Sequence, residues 1–387
     1  MKSIKETLIG TMENGNKILN EIEVSKTIGK DFSLDINQTQ RTIDKLHPAK
    51  LDLVVSEIIQ RTKDSKTFRF ISKSNYLPPF EAGQYINIVV EIDRIRTTRP
   101  YSICSSPLQR AYYEITVARI KDGFISSYFL DKVKVGDSFE ANGPAGRFHF
   151  NPVFHYKRNV YLAGGSGITP FMSMIKEVLE SGEERDIHLI YGARNESVAI
   201  FNKELRDLSK KYSNLKYTLV LSDKDSKNGD RCSFIDANCI KEEIGNLDNT
   251  TFYMCGPEIM TDFVYKALNE LSIRPRNIRS EMFGVTQHIE DDPSFPKDLN
   301  GNEVFKLKVG DKVIDAKSNE SILCTLERNK IRVNVCCRSG ECSLCRVKLI
   351  SGKVFIPRGV LLRHADEVFN YIHSCKAYPI SDLEIYL

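Results

Sequence analysis

Four of the ten cysteines in the sequence have a spacing that could hold iron. Cys337, Cys342 and Cys345 lie on one short stretch, and Cys375 follows thirty positions later. The pattern C-x4-C-x2-C with a distant fourth cysteine is typical of one class of [2Fe–2S] cluster, in which four thiolates hold two irons. Gly340 lets the loop turn tightly and bring backbone amides towards the sulfides.

The alternative interpretations of these cysteines are a zinc site and free thiols in a core. A zinc ribbon needs paired C-x-x-C knuckles, and this region has one such pair, Cys342 and Cys345. Cys336 does not fit the cluster spacing, because five residues separate it from Cys342. Successive extended residues point to opposite sides, so we expect Cys336 to pack inwards. The spacing predicts Cys337, Cys342, Cys345 and Cys375 as the cluster ligands.

A second motif, Arg99-Pro100-Tyr101-Ser102, follows a short β-branched run. About twenty residues later comes a stretch that contains Gly123 and Ser127, and then Gly143-Pro-Ala-Gly-Arg-Phe. Together these segments resemble the flavin barrel of the ferredoxin–NADP reductase superfamily. The alternative is a structural barrel with a buried tyrosine and an arginine ion pair.

This resemblance implies a flavin site, and the residue types in these motifs suit the binding of a flavin. An arginine offers a fixed fork of donors to a phosphate, a tyrosine can stack on the ring system, and a serine hydroxyl can bond the flavin N5 region. The turn from Gly123 to Ser127 can present backbone N–H groups to a pyrophosphate, which favours FAD over FMN. The predicted flavin-binding residues are Arg99, Pro100, Tyr101, Ser102, Val117, Arg119, Gly123, Ile125, Ser126 and Ser127.

A glycine-rich stretch joins a predicted strand to a predicted helix and suits a dinucleotide. Glycines let the backbone approach a pyrophosphate closely, and the N-terminus of the following helix faces its negative charge. The stretch lacks the G-x-G-x-x-G fingerprint and resembles instead the G-x-G-I-x-P loop of the same superfamily. The predicted nucleotide-binding residues here are Gly164, Gly165, Gly167, Ile168 and Thr169, before Pro170.

Cys255-Gly256-Pro257, at the end of a later strand, matches the superfamily's C-G-P motif. The resemblance implies that Cys255 sits beside the nicotinamide carbon that gives up hydride, and the alternative is a plain buried thiol. Glu281-Met-Phe283 resembles the segment in which an aromatic ring covers the flavin and a carboxylate approaches the catalytic serine. An ordinary closing strand is the alternative there. The predicted catalytic residues are Ser102, Cys255, Glu281 and Phe283.

The coenzyme prediction depends on the residues after one strand of the nucleotide part. Superfamily members that use NADPH often carry Ser-Arg here and a tyrosine downstream. This chain has Ala193 before Arg194, and Phe201 where such a tyrosine could lie. Because a 2′-phosphate needs those extra donors, we predict NADH, and Arg194 as a cofactor-binding residue leaves NADPH as the alternative.

The elements that must position these motifs change along the chain. Over residues 1–48, apolar residues such as Ile4, Leu8 and Met12 recur at helical spacing, which predicts a helical N-terminal extension. Over residues 49–152, short β-branched runs between turn signals predict an antiparallel β-barrel. Over residues 153–286, strands alternate with helices, including one from Phe171 to Glu180, which predicts a parallel α/β sheet.

The end of the chain forms two further parts. Residues 287–302 carry Pro293, Pro296, several acids and a glycine, which predicts a linker that lets the last part move. Residues 303–387 resemble a plant-type ferredoxin domain of β-grasp fold. This part has 14 Lys and Arg against 10 Asp and Glu, unlike the strongly acidic free ferredoxins. We therefore expect a partner with an acidic or neutral face.

Composition and charge exclude several classes of function. Of 387 residues, 41% are hydrophobic and 27% charged, and the net charge is +4, so charge gives no case for nucleic acid. The sequence has no run of 18 apolar residues and no long apolar core at its N-terminus, so we expect no membrane span and a cytoplasmic location. Reduced cytosolic thiols suit metal ligation better than disulfides.

The order flavin barrel, nucleotide domain, ferredoxin matches reductase components of oxygenases and of hybrid-cluster proteins. The resemblance implies an oxidoreductase that passes electrons from NADH through FAD to a [2Fe–2S] cluster and on to a partner redox protein, such as an oxygenase, demethylase or other metalloenzyme. Two alternatives remain. One is a self-contained enzyme that reduces a ferric chelate, oxygen or a quinone, and the other is an electron-transfer subunit of a larger flavoprotein complex.

Overall fold

Helices make up the N-terminal part, as the sequence predicts. The computed structural model describes residues 4–28, 38–46, 48–92, 95–121, 123–223, 225, 228–282, 289–340, 342–357, 360 and 362–387. Residues 1–49 form a unit of their own, with helices α1 (Ile4–Gly10), α2 (Gly15–Ile28) and α3 (Gln38–Leu46). The Gly15 amide donates to the Met12 carbonyl at 2.8 Å in the turn between α1 and α2, which contact each other.

Six antiparallel strands form the flavin-side barrel. They are β1 (Leu51–Thr62), β2 (Ser65–Ser72), β3 (Tyr85–Ile92), β4 (Ile95–Ser102), β5 (Tyr113–Ala118) and β6 (Ser138–Ala145), in the order β4-β3-β6-β1-β2-β5. A bridge between Ile103 and Ile115 connects the two ends of this order. Helix α4 (Phe124–Asp131) places Phe129 in the barrel core, edge-on to Phe68 with ring centroids 5.2 Å apart.

The nucleotide part is a parallel sheet with helices between its strands in the chain. Helices cover both faces of such a sheet, so its strands are nearly continuous runs of buried residues. Its strands are β7 (Arg158–Gly164), β8 (Asp186–Ala193), β9 (Leu215–Leu221), β10 (Arg231–Cys232), β11 (Thr250–Gly256) and β12 (Ile278–Met282), in the order β10-β9-β8-β7-β11-β12. Its helices are α5 (Ile168–Ser181), α6 (Asn202–Lys211), α7 (Ala237–Ile244) and α8 (Glu258–Glu270). The chain order reverses between β7 and β11, and such a switch point opens a crevice at the carboxyl ends of the strands.

The barrel and the parallel sheet share a packed boundary. Phe148, just after the barrel, lies edge-on to Phe171 of α5 and to Tyr253 of β11, with ring centroids 5.7 Å apart in both pairs. The Ser173 hydroxyl on α5 donates to the Ser105 carbonyl at 2.8 Å, and both residues are buried. This boundary fixes the carboxyl edge of the sheet against the end of β4.

The C-terminal part is a mixed five-stranded sheet with a helix packed on it, consistent with a β-grasp ferredoxin. Leu307, Ile322 and Leu326 share its core. The strands β13 (Val304–Val309), β14 (Lys312–Lys317), β15 (Arg346–Ser351), β17 (Tyr371–His373) and β19 (Leu383–Tyr386) follow the order β14-β13-β19-β15-β17. A separate pair joins β16 (Val354–Phe355) to β18 (Tyr378–Pro379), and the helices are α9 (Ile322–Arg328) and α10 (His364–Val368).

The predicted linker differs from what the structure shows over its described part. Residues 289–302 begin with a 3₁₀ turn, Ile289–Asp291, and both Ile289 and Phe295 are buried. The Phe295 ring lies edge-on to Phe355 at 5.1 Å and shares a cluster with Tyr378. The prolines and acids that predict a free linker surround two apolar anchors, which attach this segment to the ferredoxin sheet.

Among the described residues, no helix is both long enough and apolar enough to cross a bilayer.

Candidate functional site

The glycine-rich loop and the Cys255 loop meet at the switch-point crevice. Ala163 on β7 and Glu281 on β12 both lie in register with Cys255 on β11. A Cβ atom at Gly167 would stand 2.2 Å from the Cys255 carbonyl oxygen, so only glycine permits this approach. A Cβ at Gly165 would meet nothing within 4 Å. The loop is thus closed against Cys255 on one side and open on the other, ahead of the N-terminus of α5.

Cys255 is a neutral thiol in this position. It is fully buried, and burial, with a smaller contribution from the Glu281 carboxylate, raises the pKa of the Cys255 thiol well above its usual range. A thiolate nucleophile needs the opposite environment. The geometry therefore suits a small uncharged group that shapes the nicotinamide position.

The end of β4 provides the flavin side of the site. The Ser102 hydroxyl is buried and has no hydrogen-bond partner among the described residues, which a bound flavin would supply. Tyr101 packs at the edge of the barrel core, 5.7 Å from the Phe129 ring. Burial, and then the charge of Arg338, lower the pKa of the Arg99 guanidinium. A phosphate beside Arg99 would offset that cost.

Other predicted flavin residues have different surroundings. The side chains of Val117 and Ile125 fill the barrel core, so any cofactor contact from them would come from the backbone. Gly123 is the N-cap of α4, and the Ser126 hydroxyl accepts the Ile120 amide at 3.3 Å. The half-exposed Arg119 guanidinium binds the Asp131 carboxylate at 2.6 Å, an ion pair that a phosphate would have to replace.

The four predicted cluster cysteines form two pairs. The Cys342 amide donates to the Cys337 sulfur at 3.4 Å, and Ser374, next to Cys375, donates to the Cys345 carbonyl from its amide at 3.1 Å and from its hydroxyl at 2.7 Å. Gly340, between Cys337 and Cys342 in the chain, has a φ of 83°, which glycine adopts without strain. Within the described part of the chain no three donors converge as around one metal ion. Two pairs of thiols suit two irons better than a single zinc ion.

Contacts between the cluster loop and the barrel are the functional feature that the sequence analysis missed. The Asn87 amide on β3 donates to the Cys336 sulfur at 2.9 Å, so Cys336 faces the barrel and not the core of its own domain. Arg338, between two cluster ligands, donates to Thr97 on β4 at 2.8 Å. It also forms an ion pair with Glu327 of α9. The sequence signal for this contact is Arg338, a charged residue between two ligand cysteines. The sequence does not show which residues it contacts.

The coenzyme edge lies at the carboxyl ends of β8 and β9. Arg194 is exposed there, and its carbonyl accepts the Asp223 amide at 2.9 Å. The Glu196 carboxylate accepts from Asn202 at 3.2 Å and from Asn228 at 2.7 Å. Two acidic residues therefore lie on the segments next to Arg194.

Comparison with known proteins matches the barrel, the parallel sheet and the C-terminal part each to one family model. Residues 52–150 match the oxidoreductase FAD-binding domain, residues 161–266 the oxidoreductase NAD-binding domain, and residues 307–379 the 2Fe-2S iron-sulfur cluster binding domain. The fold is similar to phthalate dioxygenase reductase, with a TM-score of 0.65 and 26% identity over 88% of this chain and 98% of that one. The chain belongs to the ferredoxin–NADP reductase superfamily and has a C-terminal [2Fe–2S] domain.

Two curated relatives of this reductase cover most of its length. The glycine betaine monooxygenase reductase subunit of Chromohalobacter salexigens is 24% identical, over 85% of this chain and 93% of its own. The NADH oxidoreductase HCR of Escherichia coli is 29% identical, over 85% of this chain and 95% of its own. These matches confirm the predicted cofactor domains, and the reductase is an NAD(P)H-dependent flavin and iron–sulfur oxidoreductase.

The residues of the reductase fit these groups. Ser102 offers an unsatisfied hydroxyl and Gly165 an open approach, and four thiols stand in two pairs. When bound, the flavin converts a two-electron hydride into single electrons, and the cluster carries them one at a time. The roles of the individual residues stay predictions. Phe283, predicted to cover the flavin, lies outside the described residues.

Proposed function

We propose that this reductase takes hydride from NADH and delivers single electrons to a separate redox protein of the oxygenase type. The names of its relatives, which include reductase subunits of monooxygenases, support this assignment. The proposed roles of its own residues are positional. Cys255 and Gly167 fix the nicotinamide, Ser102 meets the flavin, and four cysteines hold the cluster.

One observation favours a protein as the acceptor. Leu344, between the ligands Cys342 and Cys345, is 49% exposed, whereas Arg338 of the same loop is buried on the barrel side. The loop thus faces the flavin barrel through Cys336 and Arg338 and exposes the apolar Leu344 to solvent. An exposed leucine beside a redox centre contributes nothing to the binding of a small polar ferric chelate. It suits a contact with a protein, because the centre of such a contact is apolar.

Acidic residues support NADH as the coenzyme. Asp223 and Glu196 lie on the segments beside Arg194, and a 2′-phosphate placed there would meet their negative charges. The carboxylate of Glu196 is held by two asparagine side chains, so it cannot turn away freely.

The experiment compares a protein acceptor with a small one. Leu344→Gln is assayed with NADH for reduction of cytochrome c, a one-electron protein probe, and of ferric EDTA, a small chelate. We expect the rate with cytochrome c to fall about tenfold, because an uncharged polar group is placed in an apolar contact, which costs on the order of 1.4 kcal/mol. The rate with ferric EDTA should stay within about twofold. The same assays with NADPH should give a lower kcat/KM.

Val313→Gln is the matched control. Val313 is 61% exposed on β14, the sheet edge opposite to β17, so it carries the same change in polarity away from the cluster loop. Rates like those of the parent with both acceptors in Leu344→Gln would instead support a self-contained reductase of small molecules. Equal losses in both variants would remove the case for a surface at Leu344.

A further inference from the structure

A buried polar network joins the ferredoxin domain to the flavin-binding strand. Its centre is the Thr97 hydroxyl on β4, which donates to Glu327 at 3.0 Å and accepts from Arg338 and Arg99, each at 2.8 Å. A hydroxyl has one donor and two acceptor positions, so Thr97 uses its full capacity. Through this one atom, the loop that carries the cluster meets the arginine predicted to hold the flavin.

Glu327 is the one carboxylate in this network. The Arg338 side chain is 1% exposed and that of Glu327 12% exposed, and they form a direct ion pair. Two other guanidinium nitrogens of Arg338, Nε and Nη1, have no partner among the described residues. Removing one partner of a buried ion pair leaves the other charge uncompensated in the protein interior, which is strongly destabilising. Without Glu327, two arginines would face each other across the domain boundary.

We propose that Glu327 is the positioning residue that holds the cluster-bearing loop against strand β4. It touches neither cofactor and acts through Arg338 and Thr97. Its carboxylate neutralises Arg338 and anchors the shared hydroxyl, so the loop stays beside the strand that ends at Ser102. This role rests on the proposed route from flavin to cluster and adds to it the residue that keeps the two close.

The decisive variant is Glu327→Gln in the full-length holoprotein. It retains the shape of the side chain and removes its charge. In anaerobic stopped-flow mixing with NADH, bleaching of the flavin reports hydride transfer, and bleaching of the cluster reports the next step. We expect the cluster step to slow about tenfold, because the uncompensated charge of Arg338 makes the docked loop less favourable, and a loss of about 1.4 kcal/mol in docking corresponds to tenfold in rate. The flavin step should stay within about twofold.

Two further measurements do not depend on turnover. Hydrogen exchange of the amides in β4 and α9 should be faster in Glu327→Gln, because the boundary that covers them opens. The electron paramagnetic resonance spectrum of the dithionite-reduced cluster should keep the g values of the parent, since the ligands are untouched. A merely destabilised ferredoxin domain would instead lose cluster signal and show faster exchange throughout its sheet.

Glu320→Gln is the matched control, and Thr97→Val the second test. Glu320, on the turn before α9, binds Arg328 at 2.8 Å and Thr325 at 2.9 Å, both in its own domain, so its loss should leave both steps and the exchange of β4 unchanged. Thr97→Val removes the shared hydroxyl from the barrel side and should slow the cluster step in the same direction. It keeps the proposal testable if Glu327→Gln loses its cluster.

Three results would overturn the proposal or the route. A cluster step in both Glu327→Gln and Thr97→Val as fast as in Glu320→Gln shows that Glu327 does not position the loop. Equal slowing in Glu327→Gln and Glu320→Gln shows that any charge lost from this part has the effect. If the parent protein bleaches its flavin and never its cluster, the route itself is wrong, whatever the variants do.

Discussion

At the scale of single residues, the site is built from groups held neutral or unsatisfied by burial. Cys255 remains protonated because burial disfavours its thiolate, and Ser102 has a buried hydroxyl with no partner among the described residues. Such groups cost free energy unless a ligand completes them. Their motifs were visible in the sequence because Cys-Gly-Pro and Arg-Pro-Tyr-Ser are local patterns. Their environments were not, because burial depends on distant strands.

We predict that Cys255→Ala slows flavin reduction by NADH about tenfold and leaves the flavin content unchanged, because the thiol shapes the nicotinamide position. The rate should also show no titration of a thiol between pH 6 and 9 in the parent, about the range in which a free cysteine ionises. Stopped-flow reduction over this pH range measures both. Cys239→Ala, at a buried thiol on α7 of the same domain, is the control and should match the parent.

At the scale of secondary structure, local patterns predicted most elements. The predicted helix from Phe171 to Glu180 is α5, Ile168–Ser181, whose start includes the Ile168 and Pro170 of the loop motif. The linker over residues 287–302 stays a prediction, and the packing of Ile289 and Phe295 in its described part against the ferredoxin sheet was not part of it. Two isolated apolar residues among acids and prolines have no periodicity. Tertiary packing alone reveals them.

The parallel sheet also contains a titratable group whose state depends on packing. His188 on β8 bonds the Thr218 hydroxyl at 2.9 Å, and Thr218 donates to Glu243. Burial, and then the charge of Lys216, lower the pKa of His188 to about 4. Below pH about 6.5, His188 therefore binds a proton in the unfolded chain but stays neutral in the folded domain. The contribution of the neutral His188 to the free energy of unfolding is fully present above that pH and is lost as the pH falls towards 4.

We predict that His188→Gln flattens this acid dependence, because the glutamine amide can take the place of the His188 Nε2 and still donate to Thr218, but does not titrate. Between pH 7 and pH 5 the parent should lose up to about 2 kcal/mol of unfolding free energy more than the variant. Urea unfolding of the two proteins at both pH values measures the difference. His364→Asn, at an exposed position in α10, should retain the slope of the parent. Equal slopes in all three proteins would contradict the assignment.

At the scale of the whole molecule, the cluster loop lies against the barrel on one side and exposes Leu344 on the other. Arg338 meets Thr97 across this boundary, and residues 289–302 belong structurally to the ferredoxin part. These contacts hold the cluster loop beside β4, whereas the sequence alone predicted a linker that lets the ferredoxin part move. The order of the three domains was predictable from motifs. Their contacts were not, because residues 97 and 338 are far apart in the chain.

The final prediction concerns where the ferredoxin part can be removed. A chain that ends at His288 retains Phe283 and should fold, bind flavin and reduce a two-electron dye with NADH, because the barrel and the parallel sheet have their own cores. A chain that ends at Asn300 should do the same chemistry but associate more strongly. It retains Ile289 and Phe295 without Phe355 and Tyr378, their partners, and unpaired apolar anchors promote association.

Size-exclusion chromatography at several concentrations separates these two truncated proteins, and the double variant Ile289→Ser, Phe295→Ser in the longer one is the control. It should restore the monodisperse behaviour of the shorter protein, since both anchors are then polar. Neither truncated protein should reduce cytochrome c at the rate of the full chain, because the cluster is absent. If the chain ending at Asn300 associates no more than the one ending at His288, residues 289–302 form an independent linker, and Ile289 and Phe295 are not anchors to the ferredoxin domain.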